Sequence, residues 1–396
     1  MSQSETSSLP LGLVLPLGLG MIISFASSYY LLGVVAEPLA MTTGAKVSDL
    51  FSALSGAFLL AALSSIPAGR WTDARGGREV LIVASLLLAL ALILLATAQT
   101  PWAAIVAIVL LGLGMGIGFY APANALLVAV LGTGARQAMT AVSLMGACGG
   151  AIGWPLTMAM MEAVGWRGAC LIWAAGHALI CIPLFCMLLP RTRGQVSARA
   201  RDRVSWDRPM VQMALLFAGA WWVATAFAAH LPRLLVGLGL TPVEAALAAS
   251  GMALSALAAR VIFLIAPPRF SPVLMVRLAS LMNPIGVGVA LMGGKGAAMA
   301  VAIGQGAGNG LLSVASGILP LHVFGATNYG QRQVAVLLPA RFVQAAAPMS
   351  FGLVLEQSIQ GAMGLSVGIC MAMSVLTLGL GTKTAIKARD LVADRA

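Results

Sequence analysis

The sequence predicts an all-α membrane protein with twelve transmembrane helices arranged as two pseudo-symmetric six-helix bundles. Three observations predict it. Hydrophobic residues make up 60% of the 396-residue chain and charged residues 9%, with a mean hydropathy of +0.97. Soluble domains carry roughly 25% charge, so this chain needs hydrocarbon as its solvent. Twelve apolar runs are each long enough to cross a bilayer core, which takes about 20 residues. Finally, ARQAMTAVSLMGACGGAIGWPLTMAMME is echoed by QRQVAVLLPARFVQAAAPMSFGLVLE, and Arg136 and Arg332 lie 196 residues apart. Each copy has a polar entry, an apolar run with a late proline (Pro155, Pro348) and a terminal carboxylate (Glu162, Glu356). A doubled apolar chain of this kind is built as two membrane-embedded halves.

In order, the predicted spans are 10–35, 47–68, 79–98, 102–131, 138–161 and 168–189, then 209–231, 243–264, 273–292, 297–321, 333–354 and 362–381. The domains follow: an N-terminal bundle at 1–189, a linker at 190–208, and a C-terminal bundle with a short tail at 209–396. The run 102–131 is long enough to tilt or to run past the membrane, and 243–264 contains Arg260. The first span lacks the basic flank and cleavage site of a signal peptide, so it is expected to stay in the mature protein. The 45 glycines fit helices that approach backbone to backbone in lipid.

Of the 23 Lys and Arg residues, 17 fall in the tails or in the loops on the termini's side. The Lys/Arg bias therefore places both termini in the cytoplasm of a multi-pass inner-membrane protein. The net charge of +11 is mostly this asymmetry. It is spread over short loops without aromatic interleaving, which argues against nucleic-acid binding. Cys148, Cys170, Cys181, Cys186 and Cys370 all fall in spans without paired metal spacing and are expected to be buried free thiols. The Met158, Met160 and Met161 patch reads as core filler, with a thioether metal path as the alternative. No metal or cofactor is expected.

Between the second and third spans stands Gly69-Arg-Trp-Thr-Asp73-Ala-Arg75-Gly76-Gly77-Arg78. Glycines permit tight turns, and Asp73 can cap a helix or pair with an arginine. This segment resembles the cytoplasmic signature of the major facilitator superfamily, Gly-x-x-x-Asp-Arg-x-Gly-Arg-Arg/Lys. It matches at Gly69, Asp73, Gly76 and Arg78 and departs at Ala74 and Gly77, with Arg75 as a substitute. The half-chain counterpart, APPRFSP from Ala266, is degenerate. The stretches SSYYLLGVVAEPLA, GWPLTMAMMEAVGWRGACLIW and AAHLPRLLVGLGL are similar to a bacterial branch near the monocarboxylate porters. Those porters place Asp four residues before an eighth-helix Arg, where this chain has Ala256 before Arg260. Two drug-antiporter hallmarks are missing: the fourth span has no Arg, and Gly-Gly precedes Trp154-Pro155.

The resemblance implies alternating access, with the 69–78 segment as a gate and the first, fourth, seventh and tenth spans lining the cavity. On these spans stand Tyr30, Asn124, Trp221, Trp222, and Gln305 with Asn309, the last two sharing one helix face at i, i+4. Arg341 lies about 12 Å into its span. A guanidinium there costs at least ~2.5–3.5 kcal/mol unless it meets water, an anion or a partner. It reads as a substrate-anion anchor through its bidentate fork, or as a structural Arg held by helix carbonyls. Arg260 either snorkels or serves the site. His230 either couples a proton or orders a helix end. His177 reads as a packing residue on a lipid-facing helix.

The expected function is secondary transport of a small organic anion, a monocarboxylate for example, by a monomer that uses a coupling proton or other ion. Efflux of a neutral metabolite or drug, or uptake of a cofactor or metal chelate, are the alternatives. A transport-inactive sensor would call for a soluble domain. An enzyme would call for paired acids or a nucleophile motif at membrane depth, and the sequence offers neither.

Overall fold

The computed structural model describes residues 10–132, 135–192, 206–265, 271–324 and 329–380, and every element among them is helical. Eleven helical stretches are long and apolar enough to cross a membrane. The longest, Gln137–Leu188 at 52 residues, is two spans, because Gly165 breaks it at φ 73° and ψ 169°. A left-handed φ favours glycine, so this bend is written into the sequence. The described residues thus contain twelve crossings.

We number them α1 (Leu11–Ser24, continued by Phe25–Tyr29 and Leu32–Thr43), α2 (Val47–Arg75), α3 (Gly77–Thr97), α4 (Pro101–Gly118 and Tyr120–Leu131), α5 (135–164) and α6 (166–188). The second set is α7 (Arg208–Gly237), α8 (Pro242–Ile265), α9 (Pro272–Gly293), α10 (Met299–Phe324), α11 (Tyr329–Gln357) and α12 (Ile359–Leu376). Several starts follow local chemistry. Thr100 caps α4 by accepting from the Ala103 N–H at 3.3 Å, with Pro101 in the first turn. Asp207 caps α7 in the same way, accepting from Met210 at 3.0 Å, and Ser358 caps α12.

The helices divide into two compact units, described through residue 192 and from residue 206. In the first, α1 packs on α5, α4 packs on α2 and α3, and α3 packs on α6. In the second, α7 packs on α11, α10 on α8 and α9, and α9 on α12. The pairing scheme repeats, and the sequence echo falls on the equivalent helices α5 and α11. Outer faces carry bare apolar side chains, such as Trp102, Leu179 and Met187 at 75%, 74% and 81% exposure, as lipid requires.

The tightest contacts are glycine contacts, and they too repeat. On α4, Gly112 and Gly116 lie against the backbone of Ala57 and Ala61 in α2, while Gly114 and Gly118 lie against Leu88 and Ala84 in α3. On α10, Gly306 and Gly310 lie against Met252 and Ala256 in α8, while Gly304 and Gly308 lie against Gly286 and Ala279 in α9. A Cβ at Gly112, Gly116, Gly306 or Gly310 would overlap a neighbouring main-chain oxygen. Each unit is therefore clasped around a central helix with glycine at every second position, and this arrangement brings helix backbones together in lipid.

Three expectations need adjustment. The first span does not end near residue 35 but continues to Thr43 beyond a π-helical segment at Phe25–Tyr29. The long fourth span is not one tilted rod, because Phe119 (φ −78°, ψ −148°) breaks it. The 69–78 segment is almost wholly helical: α2 runs to Arg75, α3 starts at Gly77, and Gly76 alone makes the turn at φ 88°. The degenerate counterpart at 266–270 and linker residues 193–205 lie outside the described residues.

Candidate functional site

In the C-terminal unit, α7 and α11 share a cluster of rings and polar groups. Trp222 is buried against α11, where its Nε1–H donates to Ser350 Oγ at 3.2 Å and its ring meets Phe351 edge-on at 6.0 Å. Two turns further along α7, His230 is fully buried. Its Nε2 stands 2.7 Å from the carbonyl oxygen of Pro348, and a carbonyl only accepts, so this nitrogen carries the hydrogen. The other nitrogen, Nδ1, faces Arg233 Nη1 at 3.4 Å and accepts from it. A second proton on His230 would press against that guanidinium. The geometry makes His230 a tie between helices.

Arg341 lies on α11 between Pro339 and Pro348 and is exposed. It is six residues past Ala335, where the apolar window of α11 begins, or about 9 Å along the axis. The position lies inside the apolar stretch of α11. Arg260 is half-buried on α8. Ala256, where the monocarboxylate porters have Asp, is buried at the α8–α10 crossing against Gly310. The close approach of the two backbones leaves little room for a carboxylate there.

Gln305 and Asn309 do share one face of α10, and they line a small cavity with Asn283 of α9 and Cys370 of α12. The space admits about one water. Asn283 Nδ2 donates to Gln305 Oε1 at 2.9 Å, and Ser366 Oγ donates to Asn283 Oδ1 at 3.2 Å. Sequence reasoning named Gln305 and Asn309 but missed Asn283 and Ser366, which come from the preceding helix α9 and from α12. The signal for Asn283 was present: an amide beside Pro284 in the middle of the predicted span 273–292.

In the N-terminal unit, Tyr30 sits where α1 leaves its π-helical segment, half-buried and edge-on to Trp154 at 5.0 Å. Trp154 Nε1 donates to the Tyr30 carbonyl at 3.1 Å. Asn124, on the second limb of α4, is half-buried, and its Oδ1 is buried with no hydrogen-bond partner among the described residues. His177 is a packing residue, as its place in the sequence suggested. It is fully buried in the π-helical segment Gly176–Cys181 of α6, with Nε2 at 2.9 Å from Ser27 Oγ of the α1 π segment. Of the cysteines expected to be buried, Cys186 is exposed and Cys148 half-buried.

The residues expected to form the gate are held in different ways. Gly76 and Gly77 are sterically required: a Cβ at Gly76 would strike the Thr192 carbonyl, and one at Gly77 the Pro122 carbonyl of α4. The usual arginine at position 77 therefore cannot fit. Arg78 donates to the carbonyl of Cys186 in the last turn of α6, where a cation suits the helix dipole. Arg75 is exposed, and a Cβ at Gly69 would meet open space. The Asp73 side chain lies outside the described residues.

No curated protein matches this sequence. Among solved structures, the nucleoside transporter NupG superposes with a TM-score of 0.76 at 13% identity, over 93% of this chain and 100% of that one. A bacterial homolog of the human lysosomal transporter Spinster, in its inward-facing and occupied conformation, gives a TM-score of 0.68 at 17% identity, over 100% and 98%. At such identities the likeness is one of fold. The Major Facilitator Superfamily profile matches residues 17–330, well over half of the chain. This chain, an integral membrane transporter of small molecules, belongs to the Major Facilitator Superfamily.

Proposed function

We propose that the transported molecule is a small organic anion and that Arg341 binds it. The observation that carries this reading is a permanent cation, exposed, within the apolar stretch of α11. Arginine stays charged under all physiological conditions, and its planar fork matches a carboxylate or phosphate with two parallel hydrogen bonds. An intramembrane charge of this kind marks a substrate or ion path by default. Gln305 and Asn309 supply amide groups, and Trp222, Tyr30 and Asn124 supply rings and a further amide on helices α7, α1 and α4.

Transport proceeds by alternating access of the two units in the inner membrane, with both termini and the linker 190–208 cytoplasmic and the protein a monomer. The tight α2–α3 turn, with Arg78 bonded to α6, helps to hold the outward-open state. Arg260 is the remaining coupling candidate, since His230 is committed to α11.

Thermal-shift screening of the purified protein tests the substrate class. A ligand held at 100 times its Kd adds about 2.7 kcal/mol to the folded state. Small carboxylates or phosphates should raise the melting temperature, and the same compounds should exchange across proteoliposomes. Stabilisation by neutral esters or amides but by no anion would contradict the reading.

A further inference from the structure

The small cavity of the C-terminal unit lies where that unit departs from its counterpart. Gly112 and Gly116 of α4 hold the places that Gly306 and Gly310 hold in α10, each pair against the backbone of the helix two before it. Gln305 and Asn309 directly precede Gly306 and Gly310, and the residues that directly precede Gly112 and Gly116 are Leu111 and Met115, both buried. On α3, the buried Ala84, Ser85 and Leu92 recur on α9 as the buried Ala279, Ser280 and Val287. The same spacing sets Leu88 in the place of Asn283. Leu88 packs over Gly114, whereas Asn283 and Gly308 border a space that admits about one water.

The N-terminal unit therefore builds this crossing with leucine and methionine, and the fold does not call for amides there. Buried polar groups cost stability unless they are hydrogen-bonded. Ser366, Asn283 and Gln305, all buried, meet that demand as a chain: Asn283 Oδ1 accepts from Ser366, and Gln305 Oε1 accepts from Asn283. A carbonyl oxygen has two lone pairs, so each amide has one in use and one to offer. Asn309 adds a third amide to the same lining. Pro284 has no N–H, so the Ser280 carbonyl of α9 lacks its usual intrahelical donor.

This donor set selects its ligand. Neutral carbonyl oxygens are hard ligands, suited to alkali and alkaline-earth cations rather than to soft metals. Dications draw on carboxylates, and a proton carrier would need a carboxylate or an imidazole. Among the described residues neither kind of side chain lines the space. Its size suits one small bare ion. We propose that it is a sodium site, with Asn283, Gln305 and Asn309 offering their carbonyl oxygens and Ser366 acting as the positioning residue that orients Asn283. The Gln305 amide NH2 stays available to the transported molecule. The site lies wholly within the C-terminal unit, between α7, α9, α10 and α12, and does not depend on the charge of that molecule.

The test follows melting of the purified full chain in choline chloride as sodium chloride or potassium chloride replaces it at constant ionic strength, with no organic ligand present. A ligand of the folded state raises the melting temperature saturably. Sodium should do so, and potassium should stay near the choline value. Asn283→Leu installs the residue that the first unit uses, and the sodium increment should vanish in it. Ser366→Ala removes one hydrogen bond behind Asn283 and should raise the sodium midpoint about threefold to tenfold. Each variant is read against its own choline baseline, so a general loss of stability does not imitate the effect. Equal melting of the parent in all three salts would overturn the proposal and make the space a water site. A sodium increment that persists unchanged in both variants would also overturn it, by placing the ion elsewhere. Neither result touches the anion reading, which is tested with organic ligands.

Discussion

Pro348, Ser350 and Phe351 of α11 hold two side chains of α7 in place, and each hold has a measurable strength. Losing a buried hydrogen bond and leaving its partner unmet costs about 1–3 kcal/mol. His230→Ala should therefore lower the melting temperature of the purified protein, while the pH profile of transport should keep its shape. A lost pH limb in that variant would restore His230 as a coupling residue. Gly77 permits a sharper test, because its Cβ position is filled by the Pro122 carbonyl. Gly77→Arg, which restores the usual family residue, should impair folding, and Gly69→Ala, which meets open space, should not. Fluorescence-detected size exclusion after heating reads both. At this scale the sequence showed which residues were unusual but not what they touch. The partners of Trp222 and His230 lie 128 and 118 residues away, and no local spacing connects them.

The central helices α4 and α10 do the same work in the two units. A leucine at Gly116 or Gly310 would have to displace a neighbouring backbone, and overpacking of that kind typically costs about 1–3 kcal/mol. Both substitutions should destabilise to similar degrees. Near-normal melting of either variant would show that the clasp is looser than the glycine spacing implies. The Asp73→Asn variant tests the α2–α3 turn as a gate: insertion should be normal, transport reduced, and the balance of access states shifted. Unchanged transport and state balance would remove the gating role. The existence and order of the helices could be read from apolar run length and the two-fold echo. The π-helical breaks in α1 and α6 could not. Phe119 interrupts α4 three residues before Pro122, which is a breaking signal, whereas the π-helical segments at Phe25–Tyr29 and Gly176–Cys181 carry no proline. Both π segments hold one end of the buried Ser27–His177 hydrogen bond, a long-range contact that a linear reading does not reveal.

For the whole molecule, one repeated pairing scheme gives each unit its internal structure, and the scarcity of charge commits all of it to the membrane. The Lys/Arg bias predicts the sidedness. Single cysteines introduced in 190–208 and in 293–296 should label from opposite faces of the membrane, and labelling of both from outside would sink the twelve-span topology. The substrate claim concentrates on a single charge, and one experiment reaches it directly. Organic-anion uptake and ligand-induced stabilisation should be compared in the parent protein, Arg341→Lys and Arg341→Ala, each first shown to be folded. A charge-assisted hydrogen bond contributes ~1.5–3 kcal/mol, roughly a 10–150-fold change in affinity. The account predicts a marked loss of affinity in Arg341→Lys, which keeps the charge but not the fork, and near-abolition of uptake and anion protection in Arg341→Ala. Folded Arg341→Ala protein that binds and transports an organic anion as the parent does would contradict it.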